Sequence, residues 1–323
     1  MNMDTFNVSI VIPNYNGEHL IKQNMPSVIE AADAYPAKSE IIVVDDDSKD
    51  NSVKVLEENF PEIKIVRHEI NKGFSEAVHS GVTSSIYSII ILLNTDVIPD
   101  RNFISPLIQW FDRKDTFAVS PLIRNENGKF MRVSWNLVKI IRGEIRRQDW
   151  NLEEALELAP QGKGLKSFYA SGGSVAIRKE MFQQLGGFLP IYKPFCSEDK
   201  DLGTRAWKRG WATYFEPAST VIHAHEGTKE RFFSQKRIKI IKRRNRFFHL
   251  WCHLSTNKLI FSHFPWILYR FPMRILRFDM VYPISFFKAL RQLGTIIKLR
   301  NQLRSKTGPN SLEEIIEKID FQK

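Results

Sequence analysis

The chain has 323 residues, 43% apolar and 26% charged, which suits one large globular domain with an appendage and excludes collagenous, low-complexity or disordered classes. Its longest apolar runs fall far short of the ~20 residues a spanning helix needs, and its two cysteines, Cys196 and Cys252, lack metal-ligand spacing and read as free thiols of a reducing cytosol rather than a disulfide framework. The net charge of +11 is unevenly spread, at roughly −4 over residues 1–228, roughly +17 over 229–310 and roughly −2 over the tail.

In chain order, residues 8–12 form an apolar strand stopped by Pro13. Residues 17–34 carry helical spacing through Leu20, Ile21, Met25, Val28, Ile29 and Ala32, with Pro26 expected to kink or restart the helix. A buried strand over 41–44 leads to a helix over 51–59, capped by Ser48 or Asp50 and stopped before Pro61. A strand at 63–66, a helix at 73–83 and a strand at 87–93 complete an alternating pattern. Such alternation builds parallel βαβ units, and near-continuous apolar strands fit a sheet covered on both faces.

Beyond Asp96 the pattern loosens. A helix is expected over 102–111 and a strand over 117–120. Residues 125–164 read as irregular and basic-aromatic, and strand character returns over 167–177 around Gly172 and Gly173. A helix over 198–208, short strands at 211–215 and 220–222, and a basic, aromatic helical segment from 229 onward complete the expected fold. The N-terminus, residues 1–7, is short and polar and shows no secretory signal. A cytoplasmic location is expected.

Three acidic clusters follow apolar runs or open a helix: Asp45-Asp46-Asp47, Asn94-Thr95-Asp96 and Glu198-Asp199. Carboxylates at strand ends collect at one rim of a parallel sheet, where open α/β folds bind ligands. In the first cluster a carboxylate either accepts hydrogen bonds from a base or ribose or simply caps the next helix; mutual repulsion of three adjacent acids favours a ligand or cation. Asp96 either ligates Mg²⁺ or Mn²⁺ together with substrate phosphates or closes an Asx turn. Asp199, at a helix N-terminus that keeps it ionised, is either a general base or a helix cap. His223 after a strand can complete a metal site. Gly172 and Gly173 allow close backbone approach to a ligand or form a bulge. Trp135, Trp207 and Trp211 stack on sugar or fill the core, with core favoured for the latter two.

Seven segments occur in one order: VSIVIPNYNG (8–17), VVDDDSKDNS (43–52), NKGF (71–74), LNTDV (93–97), SGG (171–173), GGF (186–188) and EDKDL (198–202). In order and spacing they resemble the family 2 glycosyltransferases, particularly bacterial rhamnosyltransferase-like members, over roughly two thirds of the chain. The resemblance implies a GT-A fold: an α/β Rossmann-like, mostly parallel sheet with flanking helices. The catalytic domain would occupy 1–228, split into a nucleotide-binding half (1–100) and an acceptor half (101–228), with a basic amphipathic helical extension over 229–323.

The resemblance also implies a nucleotide-sugar donor, a divalent metal (Mg²⁺ or Mn²⁺) and inversion at the anomeric carbon. By position, Pro13, Tyr15 and Asn16 would line the nucleotide pocket, Asp46 would contact the base and Asp45 would support its loop. Asn71, Gly73, Asn94, Thr95, Gly172 and Gly173 belong to the donor-binding motifs. Asp96 matches the last acid of a metal-binding DxD motif, Asp199 the base of an ED motif with Glu198 beside it, and His223 an additional metal or diphosphate ligand. Two departures stand out: Asn94 replaces the first Asp of DxD, and Asp47 replaces the usual Gly.

The expected function is transfer of a sugar, with rhamnose suggested by the subfamily, to a glycan or lipid-linked acceptor in cell-surface polysaccharide synthesis. A nucleotidyltransferase would need a Gly-rich phosphate loop that residues 13–17 do not form. A non-catalytic scaffold would not need both Asp96 and Asp199. The basic-aromatic segment, 235–251, 261–271 and 274–287, reads either as interfacial helix on an anionic membrane surface or as helix packed on the catalytic domain with its basic side solvated. No nucleic-acid motif accompanies it.

Overall fold

The computed structural model describes residues 6–159, 164–224, 233–306 and 310–320. Strands β1 (Val8–Asn14), β2 (Ser39–Asp45), β3 (Lys64–Arg67) and β4 (Ile89–Leu93) pair in parallel in the order β3-β2-β1-β4. Every residue of β4 is buried, as a strand covered on both faces requires. Pro13 lies within β1 because strand alternation turns its missing N–H toward β4, beyond the last pair, Val11 with Leu92. Val8 N–H and the Asn14 carbonyl both face the β2 side, bonding Lys38 and Asp46.

Helices α1 (Glu18–Asp33), α2 (Ser52–Asn59) and α3 (Phe74–Ser84) connect these strands. The helix does not restart at Pro26: α1 runs through it. A mid-helix proline costs about 3 kcal/mol. The same helix buries Leu20, Ile21, Met25 and Val28, each worth about 1.5–3 kcal/mol, and that burial outweighs one exposed proline.

The second half comprises β5 (Val97–Pro99), α4 (Ile104–Ile108) with a 3₁₀ turn (Gln109–Asp112), β6 (Thr116–Arg124), β7 (Val138–Ile141), β8 (Glu144–Arg147), α5 (Leu152–Leu158), β9 (Leu165–Lys166), β10 (Ser174–Arg178), α6 (Lys179–Leu185), α7 (Glu198–Lys208) and β11 (Ala212–His223). The sheet continues β4-β10-β6-β11-β5, with β9 beside β11; β10 is antiparallel to both neighbours and β11 parallel to β6. Three local expectations are corrected. The stretch over 125–164 contains the β7–β8 hairpin, closed by Arg142 (φ 53°) and Gly143 (φ 67°), the paired positive φ of a tight hairpin turn. The two short strands after Trp211 are one strand, whose register shifts between Glu216 and Thr220. Residues 167–173 form a loop that enters β10 only at Ser174.

After the chain passes outside the described residues at 225–232, helices α8 (Gln235–His253), α9 (Phe264–Leu276), α10 (Val281–Leu290), α11 (Leu293–Lys306) and α12 (Leu312–Asp320) follow. The basic helix α8 is packed on the domain through its C-terminal half, while Gln235, Lys236, Arg237, Lys239 and Lys242 in its first half are exposed. It buries Ile238, Ile241, Asn245 and the run from Phe247 to His253. One hydrophobic core joins Val8, Tyr192 and Trp207 to Phe247, Trp251 and Ile319. Its Arg243, Arg244 and Arg246 are half-buried and reach Asp279, the Lys193 carbonyl and the Ile145 carbonyl, so charge alone did not reveal the buried stripe. Among the described residues no helix is long and apolar enough to cross a membrane.

Candidate active site

The loops after β1 and β2 are sewn together. Buried Asn14 donates to Asp45 Oδ1 (2.9 Å) and to Ser48 Oγ (3.2 Å), and Ser48 N–H donates to Asp45 Oδ2 (3.1 Å). Asn16 N–H donates to Ser48 Oγ (2.9 Å), while Asn16 Oδ1 accepts from Lys49 N–H (2.7 Å). Asn16 and Asp47 both adopt positive φ, 51° and 64°, which accounts for the glycine usual at the second position. Pro13 and Tyr15 are half-buried at this loop. Asp50, not Ser48, receives the first helical group of α2, accepting from Ser52 N–H at 3.0 Å.

The three adjacent acids diverge, so protein partners relieve the repulsion that favoured a ligand. Asp45 turns back to Asn14 and Ser48. Asp47 pairs with exposed Lys49 at 2.5 Å. Asp46, 3% exposed, meets His68 Nδ1 at 2.6 Å and accepts from Lys72 N–H at 2.9 Å and Gly73 N–H at 2.7 Å. It therefore ties the loop carrying exposed Asn71, and Gly73 at φ 87°, to the end of β2. His68, which the sequence did not single out, completes this link by meeting Ser80 Oγ at 2.8 Å.

The turn after β4 lies across from the glycine pair. Asn94 N–H donates to the Gly173 carbonyl (2.9 Å) and Val97 N–H to the Asn94 carbonyl (3.1 Å). The Thr95 carbonyl accepts from buried Asn24 at 2.8 Å. Antiparallel pairing sets His223 opposite Val97, which brings His223 Nε2 to 3.1 Å from Asp96 Oδ2. Asn94 Oδ1 and Asp96 Oδ1 are buried and accept no hydrogen bond among the described residues. A buried acceptor without a donor costs about 1–3 kcal/mol, and a cation offers the compensation a hard oxygen ligand needs. Among the described residues no group of three His, Cys, Asp or Glu is arranged to hold a metal alone. A bound metal would therefore rely on Asp96 and His223 plus oxygens from elsewhere, the usual manner of Mg²⁺ with substrate phosphates.

Glu198 and Asp199 open α7, where Lys200 N–H donates to Asp199 Oδ1 at 2.7 Å and the helix dipole favours ionised carboxylates. The glycine pair bridges the two acidic groups. A Cβ on Gly172 would lie 3.7 Å from Asp199 Cβ, and one on Gly173 would lie 3.1 Å from Asn94 Nδ2 and 4.0 Å from His223 Cε1. The structure thus gathers Asn94, Asp96, His223, Gly172, Gly173 and Asp199 at one place, with the Asn14–Asp45 loop beside it: a Cβ on Gly17 would lie 2.3 Å from Asn14 Oδ1 and 3.7 Å from Thr95 Oγ1.

Behind Asp199 the wall is aromatic and basic. Lys200 Nζ lies 5.6 Å from the Tyr169 ring centroid, and burial, opposed by Asp199, lowers its pKa to about 8. Burial and then Asp199 push the Tyr169 hydroxyl up to about 12, so it stays protonated at neutral pH. Helix α7 comes close because Gly203 has no side chain; a Cβ there would sit 2.6 Å from Tyr169 Cβ. Trp135, Trp207 and Trp211 are core or core-packed rather than sugar platforms: Trp135 Nε1 donates to Lys166 (2.8 Å), Trp207 Nε1 to Ser167 (3.0 Å), and Trp211 packs on the second apolar cluster.

A polar network under α7 had no signal in local sequence. Asp201 accepts from Arg205 (2.6 Å), Tyr192 (2.9 Å) and His253 (2.7 Å). Burial alone would raise the Asp201 carboxyl, but Arg205 and the His253 hydrogen bond hold it well below the usual carboxylate range. Thr204 meets His249 at 2.9 Å. These partners lie as many as 52 residues away, beyond any motif.

The glycosyl transferase family 2 model matches residues 9–186. An N-acetylglucosaminyl-diphospho-decaprenol L-rhamnosyltransferase of Mycobacterium tuberculosis is 25% identical over 57% of this chain and 66% of its own length. A UDP-Glc:alpha-D-GlcNAc-diphosphoundecaprenol beta-1,3-glucosyltransferase of Escherichia coli is 31% identical over 42% of this chain and 48% of its own. The chain thus spans less than two thirds of either relative. Among solved structures, GalNAc-T7 with UDP, GalNAc and Mn²⁺ superposes with a TM-score of 0.61 at 20% identity, over 80% of this chain and 50% of that one. The mannosyltransferase PcManGT of Pyrobaculum calidifontis with GDP-Man and Mn²⁺ gives 0.55 at 16%, over 98% and 85%. Both likenesses establish the GT-A type of fold.

Proposed function

From the premise that the chain belongs to glycosyl transferase family 2, and so is a glycosyltransferase, we propose an inverting, metal-dependent transferase that moves a sugar from a nucleotide-sugar donor to a glycan or lipid-linked acceptor in cell-surface polysaccharide synthesis. The carrying observation is the convergence of Asp96, His223 and Asp199 on the glycine pair. Rhamnose is the favoured sugar on the strength of the rhamnosyltransferase relative. The relatives named for decaprenol- and undecaprenol-linked substrates support a lipid-linked acceptor, and with it a cytoplasmic enzyme peripheral to the membrane.

In this reading the Asn14–Asp45–Ser48 loop and the segment pinned by Asp46 shape the nucleotide pocket, with Pro13, Tyr15, Asn16, Asn71 and Gly73 along it. Asp96 and His223 would hold Mg²⁺ or Mn²⁺, which supplies positive charge to the departing diphosphate. Asn94, Thr95 and the glycine backbone would position the diphosphate and sugar. Asp199 takes the proton of the acceptor hydroxyl as that oxygen attacks the anomeric carbon from the face opposite the leaving group. The C–O bond to the acceptor forms as the bond to the diphosphate breaks, which inverts the centre without a covalent intermediate. Glu198 adds negative charge beside the base.

The test is donor binding and slow hydrolysis across dTDP-, UDP- and GDP-sugars, with Mn²⁺, Mg²⁺ or EDTA, for the parent and Asp96→Ala. The expected result is one donor that binds and turns over only with metal and with Asp96 intact. Failure of every donor to bind a folded protein would overturn the reading.

A further inference from the structure

Helix α9 and its flanks carry an apolar surface that nothing among the described residues covers. Between Leu259 and Met280 every exposed side chain is apolar or aromatic except Arg277. Phe261, Pro265, Leu268, Pro272 and Leu276 follow each other at helical spacing, so they form one ridge, while Ile267 and His263 face the core. The ridge is strongly exposed: Phe261 78%, Leu268 74%, Leu276 73% and Phe278 91%. Contiguous apolar surface of this kind marks an interaction site.

Phe278 adds an independent argument. It occupies the position after the C-cap of α9, its N–H bonding the Ile275 carbonyl (2.9 Å) and Asp279 N–H bonding the Arg274 carbonyl (2.9 Å). That is the Schellman pattern, where glycine is the common residue because φ is positive. Phe278 takes φ 54°, a costly conformation for a bulky side chain. Its ring recovers little from the described chain, because it is almost fully exposed. A bulky aromatic kept at a glycine position and pointed outward acts on something outside.

The charge pattern identifies the occupant. Along the chain between residues 233 and 310 the only acid is Asp279, held by Arg243 (3.2 Å) and Arg274 (3.0 Å); the acids Glu313, Glu314 and Glu317 of α12 share a pocket with Lys258 and Phe261 at the N-terminal end of the ridge, so the cationic flank lies toward its Phe278 end. Arg277 within this stretch and Lys288, Arg291 and Lys298 after it are all exposed. We propose that this ridge, from Phe261 to Phe278, inserts shallowly into an anionic bilayer while the flanking cations meet its headgroups. Within the basic C-terminal segment, the apolar docking element is therefore the α9 ridge. The ridge is coupled to the site through the hairpin: Arg270 pairs with Glu144 (2.8 Å), and Arg147 reaches the Tyr169 hydroxyl (3.5 Å). Its purpose, holding the site over a lipid-linked acceptor, rests on the transferase reading; binding to lipid does not.

The experiment is co-sedimentation of the full chain with vesicles of phosphatidylcholine alone or mixed with phosphatidylglycerol, without donor or acceptor, at low and high salt. The parent is expected to sediment with the mixed vesicles and to lose part of that binding in salt. Phe261→Ser combined with Leu268→Ser should weaken partitioning by ~10-fold or more. Phe278→Gly should weaken it several-fold while leaving the melting temperature equal or higher, which separates docking from folding. No sedimentation with anionic vesicles, or Phe278→Gly partitioning like the parent, would overturn the proposal. So would a concentration-dependent dimer in light scattering that the Ser variants abolish, since the occupant would then be a second copy. Donor binding, measured separately, reports on the transferase reading alone.

Discussion

Asn245, in helix α8, places its side-chain nitrogen 2.8 Å from the Cys196 carbonyl, two residues before Glu198. The same nitrogen lies 2.7 Å from the Tyr192 carbonyl and 2.9 Å from that of Phe195. Cys196 and Ser197 both hold positive φ, 72° and 78°, and consecutive left-handed non-glycine residues persist only where surroundings over-determine them. The C-terminal extension therefore fixes the turn that presents Glu198 and Asp199.

Asn245→Ala should consequently leave donor affinity near the parental value yet lower turnover by ~10²-fold, the scale of a misplaced reacting group. It should also cost about 1–3 kcal/mol of stability from the orphaned carbonyls. Donor titration beside steady-state transfer checks this, and unchanged turnover in a folded variant would show that the turn is held by other contacts.

Asp199→Asn keeps the size and the helix-start position but removes the base. Transfer should fall ~10²–10⁴-fold, the usual contribution of a positioned general base, with donor binding retained. Equal turnover would reassign the base, with Glu198→Gln as the next variant to assay.

The glycine pair gives a contrast within two residues. A methyl on Gly172 meets Asp199 and Phe188 at ordinary distances, 3.7 and 3.8 Å, whereas one on Gly173 presses Asn94 Nδ2 at 3.1 Å beside His223. Gly172→Ala should keep most donor binding, and Gly173→Ala should weaken metal-supported donor binding by ~10-fold, about 1.4 kcal/mol. Indistinguishable variants would refute the packing argument.

Acid should destabilise the protein through the network under α7. Burial lowers the His253 pKa from 6.5 to about 4, and burial keeps His249 well below its usual value as well. Between those pH values the unfolded chain binds protons that the folded chain refuses, so stability falls as pH drops from 6.5 toward 4. For His253 alone the loss is on the order of 3 kcal/mol. Asp201, held low, adds stability above the usual carboxylate value that is lost below it. Urea unfolding at stepped pH should show this slope, and His253→Gln, which cannot titrate, should reduce it, leaving the share due to His249. A slope the variant leaves unchanged would remove His253 from the account.

The fold's first half was legible because apolar runs with period-2 or period-3.6 spacing, punctuated by Pro61 and Gly73, specify strands and helices locally. The acids at strand ends were legible for the same reason: in a parallel sheet, sequence position after a strand is also spatial position at the rim. Strand-end position singles out Asp96, whereas Asp199 at a helix start and the glycine pair in a loop became candidates through the order of motifs that carries the family resemblance. Sequence also carried the charge asymmetry. It could not say which side of α8 was buried, because long basic side chains cover an apolar stripe without erasing it. The Arg142–Gly143 hairpin, the divergence of Asp45, Asp46 and Asp47, and the hold of Asn245 and His253 on α7 were decided by tertiary structure alone. Each depends on partners brought together by packing across tens of residues, and hydrogen-bond satisfaction in a buried site is a property of that assembled neighbourhood rather than of any local motif.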